Sequence, residues 1–293
     1  MIDTECILDS RLRLSYNNLQ KTIDVFLCCT KSFYEPVKSL TINEVLSNEN
    51  FISTLTNIYN SITKEYRQLV PACYELYHGN KNYCELTELQ IIENSIQKTC
   101  NLTCSMCRNN IVTDKEEADL YFKVLEKLKN GNLNTIGLTM AGEPFYYKKE
   151  TFDYINKLDA NTDCKELLII SNLTLLNDDD ILQLKNIQNK GININLIASI
   201  DGITENTYQK IRRNKLFSKV MHNSELLIKN NVLKQINFVA QPDNINELCL
   251  SYEYWHNINN LQFNLIPLNG RNSEYYKELI KTDEYSKYLK LLE

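Results

Sequence analysis

A chain of 293 residues and 34.3 kDa can bury one large α/β core and a smaller appendage without disulfide staples. Its net charge of -5 and pI near 5.5 exclude the basic field that draws proteins to nucleic acid or anionic membrane surfaces. No stretch reaches the ~20 apolar residues of a membrane span, and charges break every short apolar run of MIDTECILDSRLRL, so the expected location is cytoplasmic.

In chain order, the first predicted elements are helical. A capping box at Thr41 to Glu44 opens one helix, and a second carries Phe51, Leu55, Ile58, Tyr59 and Ile62 on one face. Residues 1–86, which also hold Cys6, Cys28, Cys29, Cys73 and Cys84, read as a small α-rich, cysteine-containing domain. From Thr87 onward, short apolar runs alternate with amphipathic segments in the pattern of repeated βα units. Strands are expected over Glu88 to Ile96, Thr135 to Met140, Glu166 to Ser171, Ile192 to Ile200, Lys234 to Gln241 and Leu261 to Leu268. The helix after the first strand is signalled by Thr113 or Asp114 as N-cap, by Leu120, Val124, Leu125 and Leu128, and by Gly131 as terminator. The helix after the third begins at Asn177, with three aspartates where the helix dipole favours them, and stops near Gly191. Strict alternation implies parallel pairing with right-handed crossovers. The expected fold is therefore α/β, a partial (β/α)6 barrel over residues 87–293 behind the small N-terminal domain.

Ten cysteines stand against only three histidines, His78, His222 and His256. Without a secretion signal the expected compartment is reducing, where clustered cysteines ligate metal more often than they pair, and scarce imidazole leaves thiolate as the ligand type. The chemistry concentrates in CNLTCSMC, residues 100–107, just after the first strand, where a barrel places its active-site loops. Thiolates from Cys100, Cys104 and Cys107 can hold three corners of a [4Fe-4S] cubane and leave the fourth iron open to a ligand. The competing reading is structural zinc, which wants four ligands; no second CxxC or Cys/His pair follows to complete it.

That loop resembles the CxxxCxxC hallmark of the radical S-adenosylmethionine (SAM) superfamily, and the likeness runs from residue 88 to about 270, with Met106 where the family usually has an aromatic residue. The resemblance implies a [4Fe-4S] cluster on the three cysteines, SAM chelated at the open iron, reductive cleavage to a 5'-deoxyadenosyl radical, and hydrogen abstraction from a substrate carbon. Side chains would orient and shield rather than act as acids or bases. MAGEP, residues 140–144, looks like the family's GGEP turn, so Gly142 and Glu143 would receive the ammonium of the methionine moiety; by itself the segment reads as a plain turn. SNLTLL, residues 171–176, resembles TNGTLL, which would face Ser171 and Asn172 toward the cofactor. Leu173 stands in place of the glycine there, although leucine does not readily take positive φ. SIDG at 199–202 with Tyr208 and Arg212 is similar to the SxDG…YxxiR signature of peptide-modifying members and implies Ser199 and Arg212 on the SAM carboxylate. The plainer readings are a solvated arginine at Arg212 and a helix cap at Asp201. QPDN at 241–244 and IPL at 266–268 fit the fifth and sixth strand ends.

VFLCC, SLTINEVLSN and VPACYELYHG resemble a SPASM or twitch module, here ahead of the barrel, with Leu76 in place of the second cysteine of PxCxxC. Two readings follow: a second [4Fe-4S] cluster assembled from Cys6, Cys28 or Cys29, Cys73 and Cys84, or a module with buried free thiols. Cys164 and Cys249, on predicted helical or loop positions, read as ordinary core or surface thiols, and Trp255 with its Tyr-rich helix as packing. The resemblance implies a peptide or protein substrate and an electron donor such as flavodoxin or ferredoxin, with no nucleic acid or membrane partner. A radical SAM enzyme acting on a small metabolite and a non-catalytic iron-sulfur or zinc protein are the other classes this sequence admits.

Overall fold

The computed structural model describes residues 11–27, 36–69, 91–107, 115–131, 133–138, 141–258, 260–268 and 274–292. The chain divides into two compact units, residues 1–98 with 114–142 and 153–167, and residues 99–113 with 143–152 and 168–293.

Three strands that were not among the predicted elements open the first unit. β1 (Arg11–Asn17) and β2 (Thr22–Leu27) form an antiparallel hairpin with Leu14 opposite Val25 and Tyr16 opposite Ile23, and β3 (Lys38–Thr41) pairs antiparallel with β2. The period-two alternation buries Leu12, Leu14, Tyr16, Ile23 and Val25. Buried Asp24 is satisfied by the Ser39 hydroxyl at 2.7 Å and the Thr22 hydroxyl at 3.0 Å. β1 then pairs in parallel with β4 (Ile91–Asn94), and β4 in parallel with β5 (Leu133–Gly137), giving the order β3-β2-β1-β4-β5.

Helix α1 (Ile42–Leu46) opens on the expected capping box: the Thr41 amide donates to Glu44 Oε2 at 2.6 Å and the Glu44 amide to Thr41 Oγ1 at 3.1 Å. α2 (Phe51–Leu69) buries Phe51, Leu55 and Tyr59, and α3 (Lys115–Leu128) buries Leu120, Val124, Leu125 and Leu128, the predicted stripe. Past α3 the left-handed residue is Asn130 (φ 62), not Gly131. A Cβ at Gly131 would fall 2.0 Å from Ile52 Cδ1, so the tip of that side chain would have to move to admit one.

In the second unit the strand order is β6 (Cys164–Ser171, of which the residues after Leu167 belong here), β7 (Asn193–Ser199), β8 (Leu233–Ala240), β9 (Gln262–Pro267), with β7–β8 and β8–β9 parallel. After α4 (Lys148–Ile155), α5 (Asp178–Asn189) begins on Asn177 and Asp180, which cap each other's amides at 2.9 and 2.8 Å; Gly191 follows at φ 99, as the sequence predicts. α6 (Glu205–Arg212) is capped by Thr204, which corrects the reading of Asp201 as its cap. α7 (Phe217–Lys229) precedes β8, and α8 (Leu248–Tyr252) runs on into a π-helical turn, Glu253–Ile258. α9 (Glu274–Leu279) and α10 (Asp283–Leu291) close the unit over a core of Phe238, Leu248, Tyr252 and Tyr288. Trp255 is buried, so packing is its role.

All six predicted strands are present in order and alternate with helices. The fold class is α/β, a partial (β/α)6 barrel, and the N-terminal segment adds the three strands to its two expected helices. Cys164 opens strand β6, fully buried, which corrects its predicted helical or loop position. Cys6, Cys28, Cys29, Cys73, Cys84, Thr113, Asp114 and Met140 lie outside the described residues. Among the described residues no helix is long and apolar enough to cross a membrane.

Candidate functional site

The cysteine loop begins six residues beyond β4, and its second half is fastened by hydrogen bonds. The Ser105 amide donates to the Ile211 carbonyl at 2.8 Å, the Cys107 amide to the Cys104 carbonyl at 3.1 Å, and Ser105 Oγ to Gln241 Oε1 at 3.2 Å. Cys100, Cys104 and Cys107 are free thiols, the first two half-buried and the third exposed. Donors approach two of the sulfurs: the Leu102 amide at 3.5 Å and Asn172 Nδ2 at 3.7 Å from Cys100 Sγ, and Arg212 Nη1 at 3.7 Å from Cys104 Sγ. Burial raises both thiols above their ordinary pKa; the Leu102 amide opposes it at Cys100, and the Arg212 charge opposes it at Cys104.

Glu143 follows β5 in the AGEP turn, directly after half-buried Gly142, and is 1% exposed. Its Oε1 accepts from Ser171 Oγ at 2.8 Å and the Phe145 amide at 3.3 Å, and its Oε2 from the Asn172 amide at 2.8 Å. Burial outweighs these bonds and lifts the carboxyl pKa to about 7. Ser171 and Asn172, where β6 ends, thus hold this carboxylate, and Asn172 Nδ2 also donates to Asn101 Oδ1 at 3.1 Å within the cysteine loop. Leu173 takes φ 62, the left-handed conformation its neighbours demand: its amide donates to Ser171 Oγ at 3.0 Å and its carbonyl accepts from Asn223 Nδ2 at 2.8 Å.

Arg212, the last residue of α6, is buried and not solvated. Its Nη2 lies 2.6 Å from Oδ2 of Asp201, which is fully buried. Burial presses the guanidinium to lose its charge, but Asp201 and then Cys104 outweigh it and hold Arg212 above its ordinary pKa; burial lifts Asp201 against the pull of Arg212. Ser199 ends β7 half-buried and joins none of these side-chain bonds among the described residues. The structure therefore links Cys100, Cys104, Glu143, Ser171, Asn172 and Arg212, and leaves Ser199 and Cys107 outside the network. The sequence reading missed Gln241 as a partner of Ser105, and Asn244. The Asn244 side-chain amide donates to the carbonyls of Asp201 and Val239 at 2.9 Å each, fixing SIDG to the end of β8. QPDN is the only signal for either residue.

Among the described residues, no three His, Cys, Asp or Glu side chains converge on one metal ion. A cubane does not require that, because each thiolate holds a different iron. Three free thiols on one short loop, with N–H donors aimed at two of the sulfurs, fit such a cluster better than a four-ligand zinc centre.

Fold and loop together define a partial barrel with a thiol-bearing loop after its first strand. Among solved structures, Streptococcus suis SuiB bound to S-adenosylmethionine is similar at 12% identity and TM-score 0.51, covering 96% of this chain and 70% of that one; this likeness shows the fold, a partial α/β barrel. Native anSMEcpe with bound AdoMet and Cp18Cys peptide matches at 20% identity and TM-score 0.48 over 69% of this chain, which spans 58% of that protein's length. Methylornithine synthase (PylB) matches at 16% identity and TM-score 0.46, covering 78% of this chain and 67% of that one. No protein-family model and no curated protein matches the sequence.

Proposed function

We propose that this chain is a radical SAM enzyme that holds a [4Fe-4S] cluster on Cys100, Cys104 and Cys107, binds SAM, and abstracts hydrogen from a peptide or protein side chain. One observation carries the reading: the hydrogen-bonded path that joins Cys100 to Asn172 and, through Glu143, to Ser171, with Arg212 on Cys104. Residues from two separate motifs, Asn172 and Arg212, meet the sulfurs of a single loop, and Glu143 of a third is bonded to Asn172. When bound, the cluster and SAM supply the electron transfer and the 5'-deoxyadenosyl radical. The chain's own residues bind and orient. Glu143, its oxygens aimed by Ser171 and the Asn172 amide, receives the SAM ammonium beside Gly142, and the arriving cation favours the ionised carboxylate. Ser199 and the remaining donors of Arg212 take the SAM carboxylate. A flavodoxin- or ferredoxin-like protein delivers the electron.

Two features support a peptide substrate: the SIDG…Tyr208…Arg212 signature, and the likeness to SuiB, one structure of which has the precursor peptide SuiA bound. A second cluster on Cys6, Cys28 or Cys29, Cys73 and Cys84 rests on the sequence and belongs to the same proposal; it predicts about eight irons per chain rather than about four. The test is anaerobic reconstitution followed by SAM and dithionite. 5'-Deoxyadenosine is expected, and its absence from cluster-loaded protein would defeat the enzyme reading.

A further inference from the structure

Arg212 and Asp201 form a built charge pair beside one cysteine. Asp201 is fully buried, its Oδ1 accepts the Val239 amide at 2.7 Å, and its own carbonyl accepts from Asn244 Nδ2 at 2.9 Å. Arg212 reaches it at 2.6 Å with Nη2 and turns Nη1 to Cys104 Sγ at 3.7 Å. The bond from the Ser105 amide to the Ile211 carbonyl, 2.8 Å, ties the residue after Cys104 to the residue before Arg212. The guanidinium is thus fixed against the sulfur from both sides. A side chain kept only to catch an incoming carboxylate has no use for a permanent buried carboxylate on half of its fork.

Resting on the reading above, we infer that Arg212 sets the reduction potential of a cluster bound at Cys104 and that Asp201 acts through it as a positioning residue. A cation and an N–H donor on a thiolate sulfur stabilise the electron-richer state of an iron-sulfur centre, and in a poorly solvated site the effect is strong. Asp201 holds the guanidinium in place and offsets part of its charge. One electron enters from an external one-electron donor such as flavodoxin or ferredoxin; no bond forms or breaks in that step, and no proton moves.

The experiment is an anaerobic redox titration, followed by electron paramagnetic resonance, of the full chain and its Asp201→Asn, Arg212→Met and Asp201→Asn/Arg212→Met variants. Asp201→Asn leaves the cation unopposed, so at a fixed poise the reduced-to-oxidised ratio rises about tenfold, 59 mV for one electron. The double variant loses the cation and falls below Asp201→Asn by at least about as much. Opposite signs are not the mark of a loosened scaffold. Arg212→Met alone orphans a buried carboxylate and can fail to fold; the double variant carries no such charge and answers in its place. Equal potentials in Asp201→Asn and the double variant would overturn the inference, as would loss of the cluster from both. An unaltered chain that holds no [4Fe-4S] cluster would overturn the reading beneath it, and the inference with it.

Discussion

Glu143 is a carboxylate that burial makes reluctant to ionise, with a pKa near 7 in the folded chain against 4.5 for the ordinary group. The folded state therefore binds the proton more tightly than the unfolded one. Below about pH 4.5 both states are protonated and the stabilisation is whole; it is lost as the pH rises to about 7, and above that both are ionised. The difference corresponds to about 3 kcal/mol at most. The ligand-free chain should lose stability across this window in denaturant titrations, and Glu143→Gln should flatten that slope. Leu173 offers a second test, because its left-handed φ costs about 1 kcal/mol while its buried side chain contributes about 2 to 5. Leu173→Gly should destabilise the chain, yet less than Leu173→Ala, which loses the side chain and keeps the strained φ. An unfolding midpoint for glycine below that for alanine would refute this. The sequence shows the cysteines, Glu143 and Arg212 because short motifs carry them. It hides Arg212's partner: whether Arg212 meets solvent or Asp201 is decided by a fold that brings residues eleven apart together.

Helix α6 carries Arg212, and its N-terminus is secured from outside. Glu247, from the turn after β8, accepts from the Ile203 amide at 2.8 Å, the Thr204 amide at 3.2 Å, Thr204 Oγ1 at 2.5 Å and the Thr207 hydroxyl. Burial would raise its pKa, but the Thr204 and Thr207 hydroxyls and the two amides outweigh that and lower it. This stabilisation is present above the ordinary carboxylate pKa and is lost as the pH falls through the lowered value. Glu247→Ala should cost about 1 to 2 kcal/mol, by analogy with loss of a helix cap, and Glu247→Gln less. Equilibrium unfolding at neutral and acid pH checks both the size and the sign. The helix caps at Thr41 and Asn177 were readable because cap and partner lie three residues apart. Glu247 was not, since its partners lie 40 to 44 residues away. β1 escaped for another reason: Leu12, Leu14 and Tyr16 alternate as a strand should, but Arg13 and the short run between charges look like an exposed terminus.

At the scale of the whole chain, the alternation of strand and helix made the barrel legible, whereas the place of the N-terminal segment depends on pairing that no local pattern records. The sequence draws a boundary after residue 86, yet β1 hydrogen-bonds in parallel to β4, with Leu12 opposite Ile92 and Leu14 opposite Asn94. The Ser95 amide donates to the Leu14 carbonyl at 2.8 Å, and Lys98 Nζ to the Tyr16 carbonyl at 2.6 Å. The strand that leads into the cysteine loop thus has β1 as one of its two neighbours, with β5 on the other side. A chain starting at Thr87 would leave β4 as an open edge and uncover the apolar side chains that pack against Leu12 and Leu14. Such an edge favours association between chains, and the lost burial is about 1.5 to 3 kcal/mol for each large apolar side chain. The truncated chain should therefore aggregate or unfold at markedly lower denaturant than the full chain, and should take up less iron on reconstitution. A soluble, cooperatively folding truncation with full iron uptake would show instead that the barrel stands without β1.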